Sequence, residues 1–191
     1  MKSFFGELNY AGVYTARNTT VTFSDVNLEI ERPVEPSDWS FSAFGSNTSE
    51  GRNPMPAIGD DGSVRLTASG GKVASDDEGL SFYYQKLPAH ANFEIKAEAT
   101  VHHFNGDPAI STPNQKSFGV MLRNQVGEHG DSSTQTSEYV AVGALDTVMK
   151  AFYKQGGEQV KGEPFPGQND PAPGEVYELS IRKSGRRMPF P

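Results

Sequence analysis

Apolar and polar residues alternate along much of this chain with a period of two. The clearest run sets Phe93, Ile95, Ala97, Ala99 and Val101 against Glu94, Lys96, Glu98, Thr100 and His102. Successive side chains of a strand point to opposite faces, so this run predicts a strand with one buried face. The last periodic stretch, 176–183, repeats the pattern with Tyr177, Leu179 and Ile181 on one side. Further strands are predicted over 12–14, 20–30, 39–44, 63–68, 80–87, 117–123, 138–144 and 147–154. The parity slips between Phe23 and Val26, which predicts a bulge near Ser24 and Asp25. Asp61-Gly62 reads as a hairpin turn.

Helical periodicity is almost absent, and 20 glycines and 13 prolines are spread through the chain. Many strands with turn signals between them predict an all-β fold, a sandwich or a barrel. Three connections are long: 45–61, 105–116 and the Gly/Pro-rich 155–174. Loops of this length are commonly functional, and on a rigid sandwich they are where binding sits. Residues 31–36 read as a stiff linker, because Pro33 and Pro36 each bias the preceding residue to extended geometry. At 191 residues the expectation is a single domain over 1–191 with one core.

Charge narrows the function. Seventeen Lys plus Arg stand against 24 Asp plus Glu, a net charge of −7. That argues against a nucleic-acid binder, which shows a basic stripe, and against docking on an anionic membrane. The absence of cysteine excludes disulfides and thiolate metal sites. No apolar run approaches the roughly 18–20 residues of a membrane span. The opening MKSFFGELNY is not read as a signal peptide, since Gly6, Glu7 and Asn9 break its apolar stretch.

Three stretches together resemble a known family: DGSVRLTASGGKVASDDEGLSFYYQKLPAHANFEIKAEATV, KSFGVMLRN and SEYVAVGAL. They are similar to concanavalin-A-like jelly-roll modules appended to secreted bacterial polysaccharide lyases, pectate lyases among them. The resemblance implies a two-sheet antiparallel β-sandwich and an extracellular, bacterial setting. It implies a non-catalytic accessory module, binding polysaccharide or spacing neighbouring domains of a parent protein. Two other readings stand beside it, a jelly-roll lyase or glycoside hydrolase and a purely structural surface module. One departure matters. Residues 10–26 look like the closing strands of such a module yet come first, as in a circular permutant or a chain cut across two copies. The expectation is that 1–30 pairs with the main body, 37–185, in cis or by strand swapping in a dimer.

Candidate chemistry is sparse. Glycosidases need two carboxylates about 5–10 Å apart. Glu94 and Glu98 share one strand face, with Lys96 between them, and read more simply as a solvated face. His102, His103 and His129 carry no family catalytic motif, and adjacent strand histidines point to opposite faces. Sugar binding needs rings to stack on pyranose faces and polar groups for hydroxyls. Tyr84, Tyr139 and Tyr153, joined by Arg123, Gln125 and Lys150, are the expected carbohydrate-binding set on a concave face. Calcium takes six to eight oxygen ligands from loops rich in Asp. Asp60, Asp61, Asp76 and Asp77 are the expected ligands for the structural Ca2+ that jelly-roll modules often carry.

Overall fold

The computed structural model describes residues 8–31, 37–73, 77–104, 116–133, 137–169 and 171–185. Twelve strands follow in order: β1 (Leu8–Ala16), β2 (Thr19–Ile30), β3 (Ser40–Gly45), β4 (Ala57–Ile58), β5 (Val64–Ala68), β6 (Gly79–Pro88), β7 (Phe93–Phe104), β8 (Ser117–Arg123), β9 (Tyr139–Leu145), β10 (Val148–Gln155), β11 (Glu158–Asn169) and β12 (Val176–Lys183). No helix occurs among the described residues.

The strands form two antiparallel sheets. The larger runs β11-β10-β9-β8-β1-β6-β3, and the smaller runs β12-β7-β2-β5-β4. The β1 and β2 strands sit in the interior of the two sheets. The first pairs with both β6 and β8, and the second with both β5 and β7. These contacts are made within one chain. Without them each sheet would split in two and expose unpaired strand edges.

Alternation sorts the residues. Phe23, Phe93, Ile95, Val101, Phe118, Val120 and Leu179 turn inward and form the main core between the sheets. Side chains of this size contribute roughly 1.5–3 kcal/mol each on full burial. The bulge falls in β2, where the register with β7 shifts between Ser24 and Asn27, and Asp25 takes a left-handed φ of 50°. The 155–174 segment departs from its reading as a loop. Its first part is β11, paired with β10 through two register breaks. Its prolines are tolerated because β11 is an edge strand, where a missing N–H costs no ladder bond.

The larger sheet also carries a second apolar cluster on its outer face. Tyr14, Phe44, Leu80, Phe82, Met121, Tyr139 and Phe152 are buried there. Chain from between the strands covers it. Ala43 and Gly45 at the β3 edge bond to Gly130 and Asp131, which folds the 124–133 segment back along that edge.

Candidate functional site

The outer face of the seven-stranded sheet holds one continuous polar row. The registers place Lys154, Tyr139, Arg123, Tyr10 and Lys86 side by side across β10, β9, β8, β1 and β6. One half of this row is sealed and the other is open.

The sealed half is organised by Glu78, which immediately precedes β6 and is fully buried. Arg123 Nη2 donates to Glu78 Oε2 at 2.8 Å, and Lys154 Nζ donates to Glu78 Oε1 at 2.9 Å. The Ser137 backbone N–H approaches the same Oε1 at 3.4 Å. Both cations are 1% exposed. Arg123 is fixed further by donating Nε to the Gln125 carbonyl at 2.6 Å and by lying 5.0 Å from the Phe44 ring centre. Buried charges need this degree of pairing, because desolvation alone costs several kcal/mol per ion. The neighbouring Tyr139 phenol is pushed well above its ordinary value by burial, with the Glu78 charge adding to the shift. Its hydroxyl accepts a bond from Gln159 Nε2 at 2.7 Å.

The open half is a cleft of about 360 Å³, within the usual size for small ligands. Tyr10, Tyr84, Lys86, Ser40 and Ser42 line it from the strands, and Val126, Gly127, Glu128 and His129 from the 124–133 segment. Tyr84 stacks on Phe82 at 5.0 Å and meets Tyr10 edge to face at 5.5 Å. Phe82 is fully buried, so the tyrosine ring rests on an immobile base. Burial raises the Tyr84 phenol, with Tyr10 adding to it, so the hydroxyl is a neutral donor near neutral pH. His129 Nδ1 accepts the Ala43 backbone N–H at 3.1 Å. The neutral ring therefore carries its proton on Nε2. The Tyr10 and Tyr84 hydroxyls, the Lys86 ammonium and the Glu128 carboxylate make no hydrogen bond or ion pair with other described residues. An aromatic floor with unspent donors and one acceptor can stack a sugar ring and bind its hydroxyls and carboxylate.

The carbohydrate set expected from sequence is thus divided. Tyr84 lies in the open cleft. Arg123 and Tyr139 lie on the expected face but are buried under covering chain, so the expectation that they face solvent is corrected. Lys150 is half-buried on the same sheet face, outside the cleft. Gln125 is exposed, and its carbonyl is taken by Arg123. Tyr153 lies on the opposite face of β10, 39% exposed. Alternation could have found Lys86, two residues after Tyr84. The covering chain, which decides what stays open, left no periodic signal.

Among the described residues, the expected metal ligands Asp60, Asp61 and Asp77 belong to no group of three metal-ligating side chains. Asp60 and Asp61 lie in an exposed turn, where Asp61 accepts the Ser63 N–H at 3.0 Å. Hydrogen bonds from Ser63, side chain first and then backbone, hold the Asp61 carboxyl below its usual range. Asp77 pairs with Lys72 at 3.2 Å. Burial opposes its ionisation, but bonds from Ser46 and Lys72 outweigh that and lower its pKa. Asp76 lies outside the described residues. No group of three metal-ligating side chains forms among the described residues.

A depression of about 660 Å³ lies on the outer face of the five-stranded sheet and is lined by Asp25, Glu98 and Glu178 with Lys96. Its described lining is acidic and holds no aromatic residue. Glu94 pairs with Lys96 at 3.3 Å, and Glu98 accepts Ser24 Oγ at 3.5 Å, as on a solvated strand face.

A two-sheet antiparallel sandwich with one sheet face half sealed and half open is a scaffold for presenting a site. Residues 37–163 match the family described as the pectate disaccharide-lyase N-terminal domain, and the chain belongs to that family. It is similar to pectate lyase L of Thermoclostridium stercorarium, 53% identical over 151 residues, covering 79% of this chain and 12% of that protein. It is also similar to the pectate disaccharide-lyase of Dickeya chrysanthemi, 35% identical over 93 residues, covering 48% of this chain and 12% of that protein. The match therefore spans about an eighth of either relative, 12% in both cases. No solved structure matches the chain. The relatives tie this chain to pectate-degrading proteins.

Proposed function

We propose that this chain is a non-catalytic, concanavalin-A-like jelly-roll module of an extracellular pectate-degrading protein, and that it holds an acidic polysaccharide in the Tyr10–Tyr84–Lys86 cleft. The observation that carries this reading is the coexistence in that cleft of a supported tyrosine pair and an unpaired ammonium. A ring stacks on Tyr84, its carboxylate meets Lys86, and its hydroxyls meet Glu128 and His129 Nε2–H. The module then acts by raising local substrate concentration for whatever catalytic part accompanies it. Family membership supports pectate as the polymer, because both relatives are named pectate lyases.

Affinity electrophoresis in gels containing polygalacturonate, methyl-esterified pectin or xylan tests this. Retardation is expected in polygalacturonate and should weaken as carboxylates are esterified. The same protein should release no unsaturated uronate absorbing in the ultraviolet. Steady formation of that product would make the chain a lyase. Equal mobility in every gel would leave a spacer.

A further inference from the structure

The far end of β1 carries another pocket, seven residues along from Tyr10 and so about 23 Å away at strand spacing. Its volume is about 310 Å³, and it is lined by Arg17, Asn18, Asn47, Arg52, Ser69, Gly70 and Gly71. On a chain of net charge −7 the described part of this lining holds two arginines and no carboxylate.

The pocket sits at the corner where the chain leaves one sheet for the other. Arg17 and Asn18 alone join β1 to β2, and both take left-handed φ angles, 48° and 47°. Asn47 does so as well, at 62°. Three of the five non-glycine residues with positive φ among the described residues thus line one small pocket. Such conformations cost about 1–3 kcal/mol each and persist where the surroundings hold them, often at ligand sites. Here the surroundings are specific. Arg17 N–H donates to the Gly70 carbonyl at 3.0 Å and Nε to the Gly71 carbonyl at 3.2 Å. Buried Thr19 ties the corner from below by donating to the Ala16 and Arg17 carbonyls.

Arg52 comes from the other side. Its stem lies against Gly70, where an added Cβ would fall 2.0 Å from the Asn47 carbonyl and 3.0 Å from Arg52 Cδ. Its backbone carbonyl is anchored by Ser69, N–H at 2.8 Å and Oγ at 3.0 Å. The Arg52 guanidinium has no hydrogen-bond or ion-pair partner among the described residues. Two guanidinium groups therefore flank the Gly70-Gly71 backbone, with two amides and a hydroxyl beside them.

We infer that this corner is a second, separate anion-binding pocket, in which Arg52, beside Arg17, receives the carboxylate of a uronate residue. Guanidinium forks match carboxylates in geometry and charge, and the Asn18 and Asn47 amides suit the hydroxyls beside that carboxylate. With no aromatic wall, the pocket reads charge and not the ring face. The choice of uronate rests on the function proposed above; the existence of an anion pocket does not.

The test is amide chemical-shift mapping of the whole chain titrated with tetragalacturonate, its methyl ester and inorganic phosphate. Saturable shifts are expected at Asn18, Ser69, Gly70 and Gly71 with tetragalacturonate, and none with the ester. Arg52→Ala should weaken binding read at these amides about ten-fold, leave the shifts at Tyr84 and Lys86 in place, and leave the rest of the spectrum folded. Arg52→Lys should fall between the two. Unchanged affinity in Arg52→Ala would overturn the pocket. So would shifts confined to the Tyr84 cleft, which would at the same time support the proposed function. Shifts at the corner alone would support the pocket and count against the cleft. Equal saturation by phosphate would overturn the uronate assignment.

Discussion

Replacing Glu78 by alanine removes the carboxylate that, among the described residues, lies between the two buried cations Arg123 and Lys154. Glu78 is 0% exposed, and Arg123 and Lys154 are each 1% exposed, at 2.8 and 2.9 Å from its two oxygens. The native group of three carries one net positive charge; the variant would carry two, with no solvent to screen them. Breaking a buried pair by deleting one partner costs about 3–5 kcal/mol, and the upper end is expected because two partners lose their counterion. At about 2–4 °C per kcal/mol for a chain of this size, that is a fall in melting temperature of roughly 6–20 °C. Thermal and urea unfolding followed by circular dichroism measure it. Glu78→Gln keeps the volume and one acceptor and should lose less. Removing a cation as well, in Glu78→Ala/Lys154→Met, should recover part of the loss, a non-additivity expected of residues in one network. A melting temperature within about 2 °C of the parent for Glu78→Ala, or strict additivity in the double variant, would show that Glu78 does not hold the two buried cations together.

Other outcomes follow from the same structure. Lys86→Ala should weaken retention on polygalacturonate about ten-fold or more, the value of a charge-assisted bond, without moving the melting temperature, because Lys86 is exposed and unpaired. Gly12→Ala should destabilise by about 1–3 kcal/mol, read by urea midpoint, since its Cβ would come 2.1 Å from the Tyr83 carbonyl in the neighbouring strand. Burial raises the Tyr14 and Tyr139 phenols well above their ordinary value. A folded pKa above the unfolded one gives stability that is whole below about pH 10 and is lost as pH rises through it. Two such groups should together lower stability by roughly 3 kcal/mol per pH unit above pH 10. The ultraviolet absorbance of tyrosinate should then rise in two stages, the second coinciding with unfolding; a single stage completed before unfolding would contradict this.

Much of the architecture was legible because inward residues of β7 and β12 alternate without interruption, from Phe93 to Val101 and from Tyr177 to Ile181. Such a pattern has one half-buried solution. The bulge in β2 was legible for the same reason, as a slip of parity at Asp25. The β11 strand was not, because Pro164, Pro166 and four glycines between 156 and 167 are turn residues everywhere except on an edge. The candidate site was legible in part. Arg123, Tyr139 and Tyr84 lie on the face away from the main core, while Tyr153 of the same expected set lies on the opposite face of β10. Which of them stays open depends on Glu78 and on the 124–133 segment, and contacts between residues 45 and 76 positions apart leave no local signal. Glu128 and His129, which that segment brings to the open cleft, were therefore visible only in three dimensions, whereas Lys86 follows from alternation with Tyr84.

The open end of the seven-stranded sheet is proposed to receive an acidic sugar. The most direct measurement is a crystal of this chain soaked with tetragalacturonate. The expected result is a galacturonate ring stacked on Tyr84 with its carboxylate in ion-pair reach of Lys86 Nζ. An ordered sugar found only on the outer face of the five-stranded sheet, beside Glu98 and Glu178, would contradict it.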